Sequence, residues 1–280
     1  MRRILRIWPL YFAIIGIVCI YYGIFGNGIA NIEYIWLYFI FLANLAFNFS
    51  VYPQDLAPLW SIAIEEQFYL LWPWIFKKRG INIVRNLFVF VIIFGVLKLV
   101  MKIISIQMGT KIPFSIISSM GFDNMAIGAI GAILYYNNSK ILLKISNSIV
   151  VPLLYFLLVL FLIFNLFSWF SIFGSYITSV LTTIFIVYQI RNSDSFFSLE
   201  RPILNFLGRI SFGIYVYHSF IISMFSDIIK AYFPNLMINT FVINCLIILI
   251  TIFIAYLSYN YFERYFLRFK KKFSSILSRN

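Results

Sequence analysis

The chain of 280 residues is 62% hydrophobic and only 11% charged, with a mean hydropathy of +0.95, which excludes a soluble globular domain as its main body. Its formal net charge of +13 comes from short basic clusters set between apolar runs, so the charge marks membrane topology and not a basic face for nucleic acid. The two cysteines, Cys19 and Cys245, lie far apart in apolar runs with no CxxC or Cys/His spacing, so neither a metal site nor a redox pair is expected.

The N-terminal stretch MRRILRIWPLYFAIIGIVCIYYGIF has the basic start of a signal peptide, but its apolar run is longer than the usual 7 to 15 residues. A retained helix over 8–25 is predicted. Arg3 and Arg6 are three residues apart on one face of its start. Two readings stand for them: positive charge that fixes the cytoplasmic end, or a clamp for phosphate oxygens, which guanidinium groups bind bidentately.

The next predicted helices cover 34–49 and 59–76. The second holds LWSIAIEEQFYLLWP, where Glu65 and Glu66 sit among apolar and aromatic residues. A charged side chain at the centre of a bilayer costs about 2.5–3.5 kcal/mol on insertion scales, so these acids need a protein or water partner. On a helix Ser61, Glu65 and Tyr69 fall at i, i+4 and i+8 and share a stripe facing one polar cavity, with Glu66 pointing about 100° away. Either the acids pair with interior cations and hold the bundle together, or they carry chemistry.

Further helices are predicted over 84–106 and 120–137. Lys98 and Lys102 in the first are expected to snorkel to an interface. Asp123, in MGFDNMAIGAIGA, opens the second, and the small residues Gly121, Gly128, Ala129, Gly131 and Ala132 suit close helix packing. Asp123 reads first as an N-cap or the partner of a basic residue, and second as a site residue.

The remaining predicted helices are 150–168, 174–190, 208–228 and 239–262. In ISFGIYVYHSF, Ser211, Tyr215 and His218 lie at i, i+4 and i+7 on one face. His218, the single histidine, is a hydrogen-bonded core residue or a general base. Glu263, in SYNYFERYF, is expected to pair with Arg264 or another basic group, and residues 267–280 form a basic cytoplasmic tail.

Basic residues in short loops test the topology. If the two segments between 34 and 76 make one net crossing, the clusters at residues 2–6, 77–85, 140–144, 191–209 and 264–279 all fall on the cytoplasmic side, and only Lys111 and Lys230 face outward. The expected fold is an all-α polytopic membrane bundle of about eight spans plus one re-entrant or interfacial segment, with both termini cytoplasmic. The segment holding Glu65 and Glu66 is the expected re-entrant piece, because polar groups at membrane depth survive only against protein or water.

In order along residues 2–266, RRILRIWPLYF, PLWSIAIEEQFYLLWP, DNMAIG, LGRISFGIYVYH and LSYNYFER resemble the signatures of the acyltransferase-3 family, bacterial integral-membrane enzymes that move acyl groups, usually acetyl, onto cell-surface sugars. The resemblance implies one acyltransferase domain over 1–266, a location in the bacterial inner membrane and about ten spans in the family. It also implies acetyl-CoA or another acyl-CoA as a co-substrate from the cytoplasm, with no tightly bound cofactor, and a carbohydrate acceptor. The family's RxxR donor motif maps onto Arg3 and Arg6. Its serine and acid before FY map onto Ser61 and Glu65, with Glu66 beside them, and its Tyr and His near the end of the penultimate helix map onto Tyr217 and His218.

Family members carry two further helices before RxxR, the first bearing the histidine regarded as catalytic. Ten spans less two leaves the eight reached from charge. The resemblance therefore implies an O-acyltransferase architecture without the helix of that histidine, and three readings stay open, a truncated product, a mis-assigned start or an inactive relative, with His218 the one base in reach. Two other classes stay open, a transporter or flippase of lipid-linked sugars and a non-catalytic partner of a complete acyltransferase; the first is disfavoured by the lack of an internal repeat.

Overall fold

The computed structural model describes residues 3–25, 32–77, 82–164, 171–192, 198–232 and 240–269, and these are helical with no strand among them. The chain divides into two compact units, Met1–Glu65 with Ile203–Asn280, and Glu66–Pro202. The expected tail at 267–280 lies mostly outside the described residues.

In the first unit, helix α1 (Ile4–Phe25) buries Ile7, Leu10, Tyr11, Ile14, Ile15 and Val18, the i, i+3, i+4 spacing of one packed face. The predicted helix over 34–49 is not continuous. The chain forms a single 3₁₀ turn at Ile32–Tyr34 and then two short helices, α2 (Trp36–Phe39) and α3 (Ala43–Asn48). Phe41 between them has φ 56° and Ser50 after them φ 58°, a conformation that no hydropathy pattern records and that is uncommon for a side chain as large as Phe. Packing holds Phe41 there: its ring centroid lies 4.8 Å from that of Tyr11 and 5.3 Å from that of Trp8. The Tyr11 hydroxyl donates to the Tyr38 carbonyl at 2.9 Å, tying α1 to this break.

A second 3₁₀ turn, Gln54–Leu56, leads to helix α4 (Leu59–Lys77). The stretch with Glu65 and Glu66 is an unbroken helix of 19 residues, close to the 59–76 predicted. Among the described residues the irregular backbone belongs to 34–49, and α4 is not one of the helices that are long and apolar enough to cross a membrane.

The second unit takes α4 from Glu66 onward and continues through α5 (Ile83–Gln107), α6 (Ile112–Met120), α7 (Phe122–Tyr136), α8 (Lys140–Ser146), α9 (Val150–Ile163) and α10 (Ser171–Arg191). The predicted start of a helix at 120 is in fact a junction. Gly121, at φ 58°, closes α6 and opens α7, the left-handed position glycine takes without strain. Leu87, Ala126 and Ile130 form the core between α5 and α7. α7 also packs on α10, where a Cβ at Gly131 would come within 2.1 Å of the Thr183 Cγ2. Lys98 does not snorkel: it is 2% exposed and donates to the wholly buried Asp123 at 2.6 Å.

The first unit resumes with α11 (Pro202–Tyr232) and α12 (Thr240–Ser258), which runs on through a π-helical turn at Tyr259–Glu263 into α13 (Arg264–Phe269). The 31 residues of α11 extend about 46 Å at 1.5 Å each, more than the roughly 30 Å hydrocarbon core.

Among the described residues five helices are long and apolar enough to cross a membrane: Ile4–Ile24, Ile83–Gln107, Ile112–Tyr136, Ile172–Arg191 and Phe241–Phe269. Helices α8 and α9, bent by 71° at their junction, make a sixth if they act as one span. The polytopic all-α bundle holds.

Candidate functional site

Polar side chains of the first unit converge where the start of α4 meets the middle of α11. Pro58 precedes α4, and its carbonyl accepts the Tyr215 hydroxyl at 2.9 Å and the Ser61 hydroxyl at 3.2 Å. The Ser61 and Tyr215 oxygens are themselves 2.6 Å apart, so two hydroxyls share one carbonyl anchor. One turn further along α11, His218 Nδ1 lies 2.7 Å from the Tyr215 carbonyl, and Ser219 donates to the Gln54 carbonyl at 2.7 Å. A neutral imidazole that donates Nδ1–H to that carbonyl presents Nε2 as the lone-pair nitrogen.

The spacing of α11 turns these residues toward one groove. Ser211, Tyr215, His218 and Ile222 recur at helical intervals and, with Ile247, Thr251 and other residues of α12, line a largely apolar cavity of about 740 Å³. Half-buried His218 reaches it without leaving the fold. This is the concave, mostly apolar surface with a few convergent polar groups that binding sites favour.

A second cavity, of about 380 Å³, lies at the start of α11, lined by Arg6, Asn205, Arg209, Tyr259 and Glu263 among others. Its buried acid is placed by the π-helical turn, whose extra residue rotates the following side chains relative to a regular α-helix; such turns concentrate at functional sites. Glu263 is 6% exposed and its carboxylate accepts the Ser258 hydroxyl at 3.3 Å. Ser258 in turn accepts the Tyr217 hydroxyl at 3.0 Å. A Cβ at Gly213 would lie 3.2 Å from both Glu263 Oε1 and the Ala255 Cβ, so this glycine permits the close approach.

The other candidate residues distribute as follows. Arg3 is exposed, one turn ahead of Arg6 at the start of α1. Glu65 is half-buried and is the last residue of the first unit. Glu66 is 7% exposed, and with Tyr69, whose ring packs edge-on against that of Phe68, it belongs to the second unit. Ser61, Glu65 and Tyr69 fall at i, i+4 and i+8 of the unbroken α4, and Ser61 joins Tyr215 in the first unit.

Asp123 is not an N-cap; it takes the other form of its first expected reading, partner of a basic residue, through Lys98. Tyr217 is 8% exposed and turns to Ser258, on a different face of α11 from His218. In the sequence Arg209 was read only as a topology signal and Glu263 only as the partner of a basic group, and the hydroxyl of Ser258 went unassigned. The signal was the helical clustering of Asn205, Gly208, Arg209 and Phe212, which the topological reading of Arg209 concealed.

A family model described as an acyltransferase domain matches residues 1–260. The chain is 28% identical to a peptidoglycan O-acetyltransferase of Listeria monocytogenes, over 84% of this chain and 41% of that protein. It is 29% identical to a Staphylococcus aureus (strain COL) protein named "Putative O-acetyltransferase", over 84% of this chain and 40% of that protein. The chain thus spans about two fifths of the length of the curated relatives it matches. No solved structure matches it.

Proposed function

This chain belongs to the acyltransferase-3 family, and from that premise we propose that it acts as a membrane O-acyltransferase, carrying an acyl group, acetyl in the simplest case, from acyl-CoA to a hydroxyl of a cell-surface polysaccharide or related glycoconjugate. The O-acetyltransferase names of its relatives support the acyl group and the oxygen acceptor. The observation that carries the reading is the cluster of Ser61, Tyr215 and His218 beside an apolar groove.

In this reading the donor arrives from the cytoplasm and its phosphates meet Arg3 and Arg6. The acceptor oxygen attacks the thioester carbonyl carbon; the C–O bond forms, the C–S bond breaks, and the hydroxyl proton passes to His218 Nε2 and then to the departing thiolate. Ser61 and Tyr215, anchored on the Pro58 carbonyl, orient donor or acceptor through their hydroxyls, and Glu65 supplies a negative charge at the same end of α4. Nothing in this sequence of bonds calls for a metal or a bound cofactor.

General-base catalysis contributes about 10²- to 10⁴-fold, which sets the size of the test. Membranes containing the protein are supplied with labelled acetyl-CoA and a glycan acceptor, and His218→Ala is expected to lower transfer by that factor at unchanged protein level. Transfer within a few-fold of the parent would assign the proton to another base and remove His218 from the chemistry.

A further inference from the structure

These two cavities of the first unit share one residue. Gly208 lines both the pocket with Arg6, Arg209 and Glu263 and the groove with Tyr215 and His218. A Cβ at Gly208 would meet no atom within 4 Å, so the backbone there borders open space. That glycine is required neither by a left-handed turn nor by close packing. Its effect is to leave the junction of the two cavities clear.

The cavities differ in the chemistry they offer. At the start of α11, two exposed guanidinium groups, the Asn205 amide and the Tyr259 phenol stand around a buried carboxylate. Phosphate oxygens suit the guanidinium groups, and the buried Glu263 lines the same pocket beside them. Beyond Gly208 the lining is mainly isoleucine and leucine with Ser211, Tyr215, Thr251 and His218. From Arg209 to His218 the helix rises about 14 Å. An extended ligand with a polyanionic head and an uncharged arm matches both ends at once.

We propose that Arg209 is a further cation of the donor's phosphate site, beside Arg6, and that Gly208 is the open saddle over which the uncharged arm of an acyl-CoA passes to bring its thioester beside His218. The proposal rests on the acyl-CoA reading above and adds two residues to it. Arg209 contacts the head group, and Gly208 sets which donors fit by the width of the passage.

The test measures binding of labelled acetyl-CoA, and separately of adenosine 3′,5′-bisphosphate, which carries part of the phosphorylated head without the arm, to the full chain in nanodiscs. Gly208→Leu places a side chain in empty space and substitutes a stronger helix former, so the fold is not expected to suffer; the unfolding temperature checks this. It is expected to leave bisphosphate binding within about twofold while removing the extra affinity of acetyl-CoA. Arg209→Ala is expected to weaken both ligands about tenfold or more, the scale of a lost charge-assisted hydrogen bond, and Arg209→Lys to recover part of the loss.

Gly208→Leu that binds acetyl-CoA like the parent overturns the passage. Arg209→Ala that binds both ligands like the parent, or that loses only retained anionic lipid, overturns the phosphate site and assigns the pocket to a lipid head group. A parent protein that binds neither nucleotide sinks the acyl-CoA reading itself, a result distinct from failure of either variant alone.

Discussion

The two units of this chain treat charge in opposite ways. In the second unit, Lys98 and Asp123 neutralise each other in the core, 2% and 0% exposed, with Lys98 also over the Tyr176 ring at 5.3 Å. In the first unit, Arg6, Arg209 and Glu263 line a cavity, and the hydroxyls of Ser61 and Tyr215 gather beside a groove. The backbone does not follow this division: left-handed Phe41 and Ser50, the π-helical turn and the longest helix, α11, are in the first unit, and left-handed Gly109, Gly121 and Asn138 join helices of the second. Charge that is matched and buried holds helices together, while charge left facing space is available to a ligand. The second unit reads as scaffold and the first as the working part.

The largest effect that can break this contrast is expected at the buried pair. Lys98→Met leaves the Asp123 carboxylate without its cation, and removal of one partner of a buried ion pair costs about 3–5 kcal/mol. Unfolding of the detergent-solubilised protein should report that loss, and the double variant Lys98→Met with Asp123→Leu should recover most of it. A single variant as stable as the parent would show that the pair is not structural, and the division of labour between the units would fall.

A smaller effect sharpens the contrast at the contact between α7 and α10. Gly131→Ala forces its new methyl onto Thr183, and overpacking of this kind typically costs about 1–3 kcal/mol. Thr183→Ser, which removes the clashing Cγ2, should relieve it in the same unfolding assay. Glycine that tolerates alanine without loss would mean that the close packing of the second unit is looser than its geometry.

Much of the architecture was legible in the chain. Apolar runs gave α5 to within one residue at each end and α10 to within three, because a long hydrophobic helix needs no information beyond its own hydropathy. The break in 34–49 was hidden, since Phe41 is held in a left-handed conformation by partners elsewhere, Trp8 and Tyr11 among them. The fate of Lys98 was hidden for the same reason: its acid lies 25 residues away on another helix. Tyr215 and His218 were legible as one face of α11, but the meeting of Tyr215 with Ser61 spans 154 positions and follows from the fold alone. Glu263 required a π-helical turn, which no periodicity of 3.6 predicts.

The central claim, that the donor lies along α11 in the first unit, is tested most directly by photocrosslinking. A photoreactive acyl-CoA is irradiated with the membrane-embedded protein, and the labelled peptides are mapped by mass spectrometry. The account predicts labels within residues 204–222 and 247–263, suppressed by excess acetyl-CoA. Labels confined to residues 66–202 and equally suppressed would place the donor in the scaffold and contradict it.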